Sequence, residues 1–249
     1  MKVYIIGAGP GDPELITIKG ARLISECPVI IYTGSLVPEE VLQNVKEGAE
    51  VYDSASMTLD EIVNLVKIAH EKNFNVARVH TGDPSLFSSV AEQLRRFREL
   101  NIEYEIVPGV SSFSAASAAL QKELTLPELT QTVIISRVEG RTPMPEGESL
   151  GELAVHGSTM VFFLSAGLLK KIKRELSPVY GEDCPVSIVY RASRPDQKII
   201  EGNLGNIEDK WRESGIKSQS IIIVGRILTS EDFADSRLYA ADFKHGFRR

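Results

Sequence analysis

Apolar residues along this chain fall into short β-branched runs separated by longer stretches with helical spacing. The runs at 2–6, 28–32, 49–52, 75–80 and 103–107 predict strands, and the stretches 14–26, 38–47, 58–72 and 86–100 predict helices. The third of these opens on Thr58-Leu59-Asp60-Glu61, a capping box that fixes its start. Strict alternation of strand and helix over the first ~110 residues predicts a parallel sheet covered on both faces.

The pattern then changes. A small-residue helix, "SSFSAASAAL" (111–120), is followed by strands near 131–136, 159–164, 185–191, 197–202 and 220–228. Two helices fall between them, at 166–177 and 206–214, and "ASRPDQ" is short enough to close a hairpin. The second half therefore predicts a mixed sheet. The fold class is α/β, with an N-terminal domain over 1–115, a C-terminal domain over 116–228 and a tail over 229–249. The domains meet near 115–125, and the interdomain cleft is the default site.

Composition narrows the function without naming it. A net charge of −6 argues against nucleic acid as the main partner, although a local basic patch stays open. Cys27 and Cys184 have no metal-like spacing, which predicts a reducing compartment rather than a disulfide scaffold. The chain opens on a strand instead of a basic-then-apolar leader, and no apolar run reaches the ~20 residues that span a bilayer. The expectation is a cytoplasmic protein with no membrane partner.

The candidate chemistry lies in loops at strand ends. "GAGPGD" (7–12) follows the first strand as a dinucleotide loop would. A Rossmann fingerprint needs its third glycine where the helix packs and an acidic residue after the second strand. Here Asp12-Pro13 follow the glycines, and the second strand runs out in Thr33-Gly34-Ser35. No Gly-Lys-Ser/Thr follows, so a P-loop fails as well. Alone, this loop also reads as a tight turn whose glycines serve positive φ. Two further loops change that balance: "TGDPSLF" (81–87) and "VPGVSS" (107–112). All three sit where open α/β sheets bind ligands.

With "GAGPGDPELITIKGARLI", "HTGDPSLF" and "VPGVSSFSAA", the chain resembles the tetrapyrrole methylases over about residues 2–228. The segments "YTGSLVPEEVL", "LTLPELTQTVIISRVEGRTPMPEGESL" and "VYRASRPDQKIIEGNL" narrow the likeness to the branch that methylates a corrin precursor of cobalamin. The resemblance implies an S-adenosyl-L-methionine-dependent C-methyltransferase, a homodimer, whose cofactor lies folded in the cleft. By position it implies cofactor contacts from Pro10, Thr81, Gly82, Asp83, Leu86, Ser111, Ser112, Leu164 and Ala192. Leu164 stands where relatives often carry methionine. The resemblance leaves open whether the tetrapyrrole carries cobalt.

A tetrapyrrole substrate brings many carboxylates, and an acidic protein must gather arginine to meet them. Arg137, Arg141, Arg191 and Arg194 lie in loops of the second half and are the candidates, while Gly9 and Gly11 would let a flat substrate come close. The run "RRFRE" (95–99) sits mid-helix and reads as an exposed face. Displacement at a sulfonium needs neither metal nor covalent enzyme intermediate, so no catalytic base is assigned. His80 is the best-placed histidine, for a structural hydrogen bond or for proton transfer. His70, His156 and His245 have no ligand spacing, and no metal site is expected.

Other readings are methylation at another corrin or porphyrin position, or of ribosomal RNA or diphthamide, and a non-catalytic cofactor sensor. The acidic balance and the 124–150 segment oppose the other methylations, and no effector module is visible for a sensor. A nicotinamide dehydrogenase is disfavoured by the failed fingerprint.

Overall fold

The structure is a computed structural model that describes residues 1–231, 233–236, 243, 244 and 246. The chain divides into two compact units. Met1–Ala115 form the first together with Arg191–Asp196, and Ala116–Tyr190 with Gln197–Arg249 form the second. The sequence division places 191–196 in the second half, whereas here they group with the first unit.

The first unit is built on five parallel strands: β1 (Lys2–Gly7), β2 (Val29–Tyr32), β3 (Glu50–Asp53), β4 (Val76–His80) and β5 (Glu103–Val107), in the order β3-β2-β4-β1-β5. One face packs Val3, Ile5, Ile31 and Val76 against α2 (Leu59–Glu71) and α3 (Val90–Glu99). The other packs Ile6, Ile30, Ala77 and Val79 against Leu23 and Ile24 of α1 (Ile18–Glu26). Burial on both faces is why β2 reads as an unbroken apolar run, Val29-Ile30-Ile31.

Three expected helices differ from the pattern for local reasons. The stretch 14–26 splits: a 3-10 turn over Pro13–Leu15 is capped by Asp12, and α1 starts afresh where Thr17 Oγ1 accepts from the Gly20 amide at 3.1 Å. The stretch 38–47 is a 3-10 turn, Glu39–Leu42, because Pro38 offers no capping side chain and the chain closes only i→i+3 bonds. The stretch 86–100 becomes helical only at Val90, since Phe87 and Ser89 sit in the left-handed region. The capping box is present in full: the Thr58 hydroxyl accepts from the Glu61 amide, and the Glu61 carboxylate accepts from the Thr58 amide.

The helix α4 (Ser112–Leu120) is followed by the mixed sheet of the second unit. Its strands are β6 (Val133–Arg137), β7 (Thr159–Phe163), β8 (Pro185–Tyr190), β9 (Lys198–Asn203) and β10 (Ser220–Val224), in the order β6-β7-β10-β8-β9. The β6–β7 pair is parallel and the other pairs are antiparallel. One face carries Met160, Phe162, Ile188 and Ile222 against α5 (Leu150–Ala154), α6 (Leu169–Tyr180) and α7 (Ile207–Ser214). The short α5, which the apolar spacing does not announce, starts at a second capping box, Ser149 with Glu152. The expected strand 220–228 ends at Val224, and Arg226–Leu228 turn into a 3-10 helix. No helix among the described residues is long and apolar enough to cross a membrane. Much of the tail over 229–249, His245 included, lies outside the described residues.

Losing the Thr58 hydroxyl leaves an amide of the first turn of α2 without its partner. Thr58→Ala is expected to lower stability by about 1 kcal/mol, read as a fall in the urea midpoint at unchanged slope.

Candidate functional site

In a parallel sheet every strand delivers its carboxyl end to the same edge. The loops after β1, β2, β4 and β5 therefore share one rim, and the connections after β1 and β4 leave in opposite directions across the sheet. That divergence is the topological switch point, where open α/β sheets take their ligands. Here the two loops are stitched by backbone. The Ala8 amide donates to the His80 carbonyl at 2.7 Å, and Gly9 and Gly82 exchange bonds of 3.2 and 2.8 Å.

The third loop joins them through glycine. A Cβ on Gly109 would lie 2.3 Å from the Gly82 carbonyl oxygen and 2.8 Å from the Gly7 Cα, and a Cβ on Gly7 would lie 2.6 Å from the Gly109 nitrogen. Backbone meets backbone at this junction, and no side chain fits. Asp83 closes it. Its carboxylate accepts from the Gly109 amide at 2.9 Å, from the Ser85 amide at 2.8 Å and from the Ser85 hydroxyl. Partial burial raises the Asp83 pKa, but the bonds from Ser85 and Gly109 outweigh it and hold the carboxyl below its ordinary value.

The six residues of "GAGPGD" serve this rim from within. Pro10 is buried, and Asp12 accepts from the Glu14 amide at 2.9 Å. The Cβ directions of Gly9 and Gly11 meet Leu15 and the Arg194 side chain. In those directions the space beside both glycines is taken by their own chain. Gly82 differs, because a Cβ there would find only the Ser112 amide, at 3.8 Å. Open space thus lies between Gly82 and the start of α4, with Thr81, Leu86 and Ser112 half-buried and Ser111 buried on the same rim.

The segment 191–196 packs onto this unit. Ser193 Oγ accepts from the Asp12 amide at 3.0 Å, and Arg194 donates to the Leu36 carbonyl while lying along Gly11. Arg191 pairs with Asp196 at 2.5 Å, and Ala192 is buried. Arg191 and Arg194 thus each have a partner within the first unit, rather than in the second domain where the sequence places them. At one edge of the second sheet, the carboxyl ends of β6 and β7 carry Arg137 and the exposed Leu164, the latter at φ 54°. Arg137 binds the carbonyls of Thr142 and Pro143, so it too is occupied. Arg141 is exposed.

His80 shows what burial does to a candidate base. It is 4% exposed, and burial, with Arg78 nearby, pushes its pKa down to about 3. Burial thus favours the uncharged imidazole. Its Nε2 has no hydrogen-bond partner among the described residues. Arg78, equally buried, donates to Gln93 Oε1 at 3.0 Å and to the Ile31 carbonyl at 3.2 Å, and burial lowers it to about 10. His70 and His156 are exposed, and no group of three or more metal-ligating side chains occurs among the described residues.

Residues 2–208 match the tetrapyrrole (corrin/porphyrin) methylases. The chain belongs to this family. A precorrin-4 C(11)-methyltransferase of Pseudomonas aeruginosa is 52% identical over 248 residues, covering 100% of this chain and 99% of that protein. The crystal structure of a cobalt precorrin-4 methyltransferase superposes with a TM-score of 0.90 at 45% identity, covering 92% of this chain and 96% of the other. A uroporphyrin-III C-methyltransferase of Thermus thermophilus, complexed with S-adenosyl homocysteine, gives a TM-score of 0.76 at 28% identity, covering 94% and 98%. In this methylase, sequence reasoning found the three rim loops and missed what joins them. Gly7 and Gly109 carry no charge or hydroxyl to draw notice. Arg78 did leave a signal, as a lone arginine inside an otherwise buried run.

Gly109→Ala is expected to destabilise the first unit by about 1–3 kcal/mol or to prevent its folding, since backbone on both sides must give way. Gly48→Ala, at a φ of 78° but in open space, isolates the cost of backbone strain alone. Comparison of the two melting curves separates crowding from strain. Asp83→Ala should lower the melting temperature at neutral pH. The folded-state pKa is depressed, so the carboxylate's contribution is present above the unfolded value of ~3.9 and lost as pH falls through the lower folded value. The difference between wild type and variant should therefore close in acid.

Proposed function

We propose that this methylase transfers a methyl group from S-adenosyl-L-methionine to C11 of precorrin-4, or of its cobalt chelate, in cobalamin biosynthesis. The observation that carries the reading is the full-length, 52% likeness to a precorrin-4 C(11)-methyltransferase, combined with the ligand-binding rim of the first sheet. A homodimer, and a soluble place in the cytoplasm, belong to the same reading.

The residues present fit the cofactor. Open space beside Gly82, flanked by the Ser112 amide at the start of α4, offers backbone donors where a side chain would intrude. Thr81, Gly82, Ser111 and Ser112 supply polar contacts there, and Leu86 supplies an apolar one. Pro10 and Ala192 contribute as buried walls. Asp83 takes part by holding the loops, since its oxygens already accept three bonds from Gly109 and Ser85.

When bound, the cofactor supplies an electrophilic methyl group on sulfur together with its own leaving group. The chain's residues have to bind, orient and exclude water. Holding two reactants in line contributes ~7–11 kcal/mol to lowering a barrier of this kind. A neutral, buried His80 is consistent with a site that positions and does not titrate. Arg141, exposed in the loop after β6, is the cation proposed to meet substrate carboxylates.

Calorimetry should give saturable binding of S-adenosylhomocysteine and none of NAD. Purified precorrin-4 and its cobalt chelate, each incubated with the methyl donor, should gain one methyl group at C11 by mass and NMR. Tight NAD binding with no response to S-adenosylhomocysteine would sink the reading.

A further inference from the structure

The sequence offers four arginines as carboxylate contacts, and the structure places them in different surroundings. Arg191 and Arg194 serve the first unit, as described above. The other two lie at the end of β6 and in the loop that follows it, in very different states. Arg137, the last residue of β6, reaches forward along its own chain. Its two terminal nitrogens donate to successive carbonyls, Thr142 at 2.9 Å and Pro143 at 2.6 Å.

Other bonds pin the same loop. The Val138 amide donates at 2.8 Å to Ser165 Oγ, itself fully buried and bonded to the Phe163 carbonyl at 2.6 Å. Lys171 of α6 holds Glu139 twice, at 2.9 Å on the carboxylate and 3.2 Å on the carbonyl. Residues 138, 139, 142 and 143 are thus fixed. Gly140 and Arg141 stand exposed between the pins, and Arg141 has no hydrogen bond or ion pair among the described residues.

We propose that Arg137 is a positioning residue: its fork across Thr142 and Pro143 fixes the loop that presents Arg141 to a carboxylate of the substrate. The assignment rests on the function proposed above. A planar guanidinium spans two adjacent carbonyls, which the single ammonium of lysine does not do in the same fixed geometry. Fixing the loop before binding removes an ordering cost that a free loop would meet on association. One cation binds, and the other keeps it in place.

The test combines a double-mutant cycle with amide hydrogen exchange. Arg141→Ala should raise the KM for the tetrapyrrole about tenfold at little change in kcat, as loss of a contact made equally in ground and transition states does. Arg137→Ala should raise the same KM several-fold. Arg137→Ala in the Arg141→Ala background should add nothing. Exchange of the amides at 139–142 should quicken in Arg137→Ala and, to a smaller degree, in Arg137→Lys, but stay unchanged in Arg141→Ala. S-adenosylhomocysteine affinity should hold in every variant. Independent, multiplying effects on KM would overturn the proposal by giving Arg137 a contact of its own, and unchanged exchange in both Arg137 variants would overturn it by removing the clamp. If the wild type binds S-adenosylhomocysteine but methylates no precorrin-4, the proposed substrate fails, and the exchange measurement still decides whether Arg137 holds the loop.

Discussion

Everything at the rim of the first sheet depends on backbone approaching backbone at Gly7, Gly82 and Gly109. The separations a Cβ would have at Gly7 and Gly109, 2.3 to 2.8 Å, are shorter than any side chain tolerates, and their closest neighbours include the Gly82 carbonyl. With glycine at these positions the loops after β1, β4 and β5 share hydrogen bonds directly, and the Asp83 carboxylate locks the arrangement. The cost is one of conformational entropy, since glycine loses more freedom on folding than any other residue. It is offset by the parallel sheet beneath, whose central strands are buried on both faces and fix the loop ends.

This constraint explains why the chain mimics a dinucleotide-binding protein and is not one. A Rossmann loop uses glycine to bring backbone close to a pyrophosphate. Here Gly7 brings backbone close to two other loops, while Gly9 and Gly11 face Leu15 and Arg194. The motif looks alike because both cases need a strand to end where no side chain can stand. What stands opposite is different.

Much of the fold was legible because periodicity reports burial. Doubly buried β4 and the helical spacing of α2 were visible, as was the box that starts α2. Helix starts were less legible, because Pro38, the second cap at Thr17 and the left-handed pair Phe87 and Ser89 act over single residues that a wide window averages away. The grouping of 191–196 with the first unit could not be read at all, since it rests on the Ser193 bond to Asp12 and the Arg194 bond to Leu36, each joining residues far apart in the chain.

The site was legible by residue type and not by role. Sequence singles out carboxylate, arginine and histidine because their chemistry is strong, yet a strong group inside a protein is often spent on the protein itself. The carboxylate of Asp83 is taken by Ser85 and Gly109, the guanidinium of Arg137 by two carbonyls, and the charge of His80 by burial. Desolvation makes this general: a polar group that is partly buried must find partners, and the nearest are usually in its own loop. Availability therefore discriminates better than identity. By that criterion the proposed roles of Arg141, exposed where its three counterparts are engaged, and of Gly82, where a Cβ would meet only the Ser112 amide, rest on availability rather than on residue type.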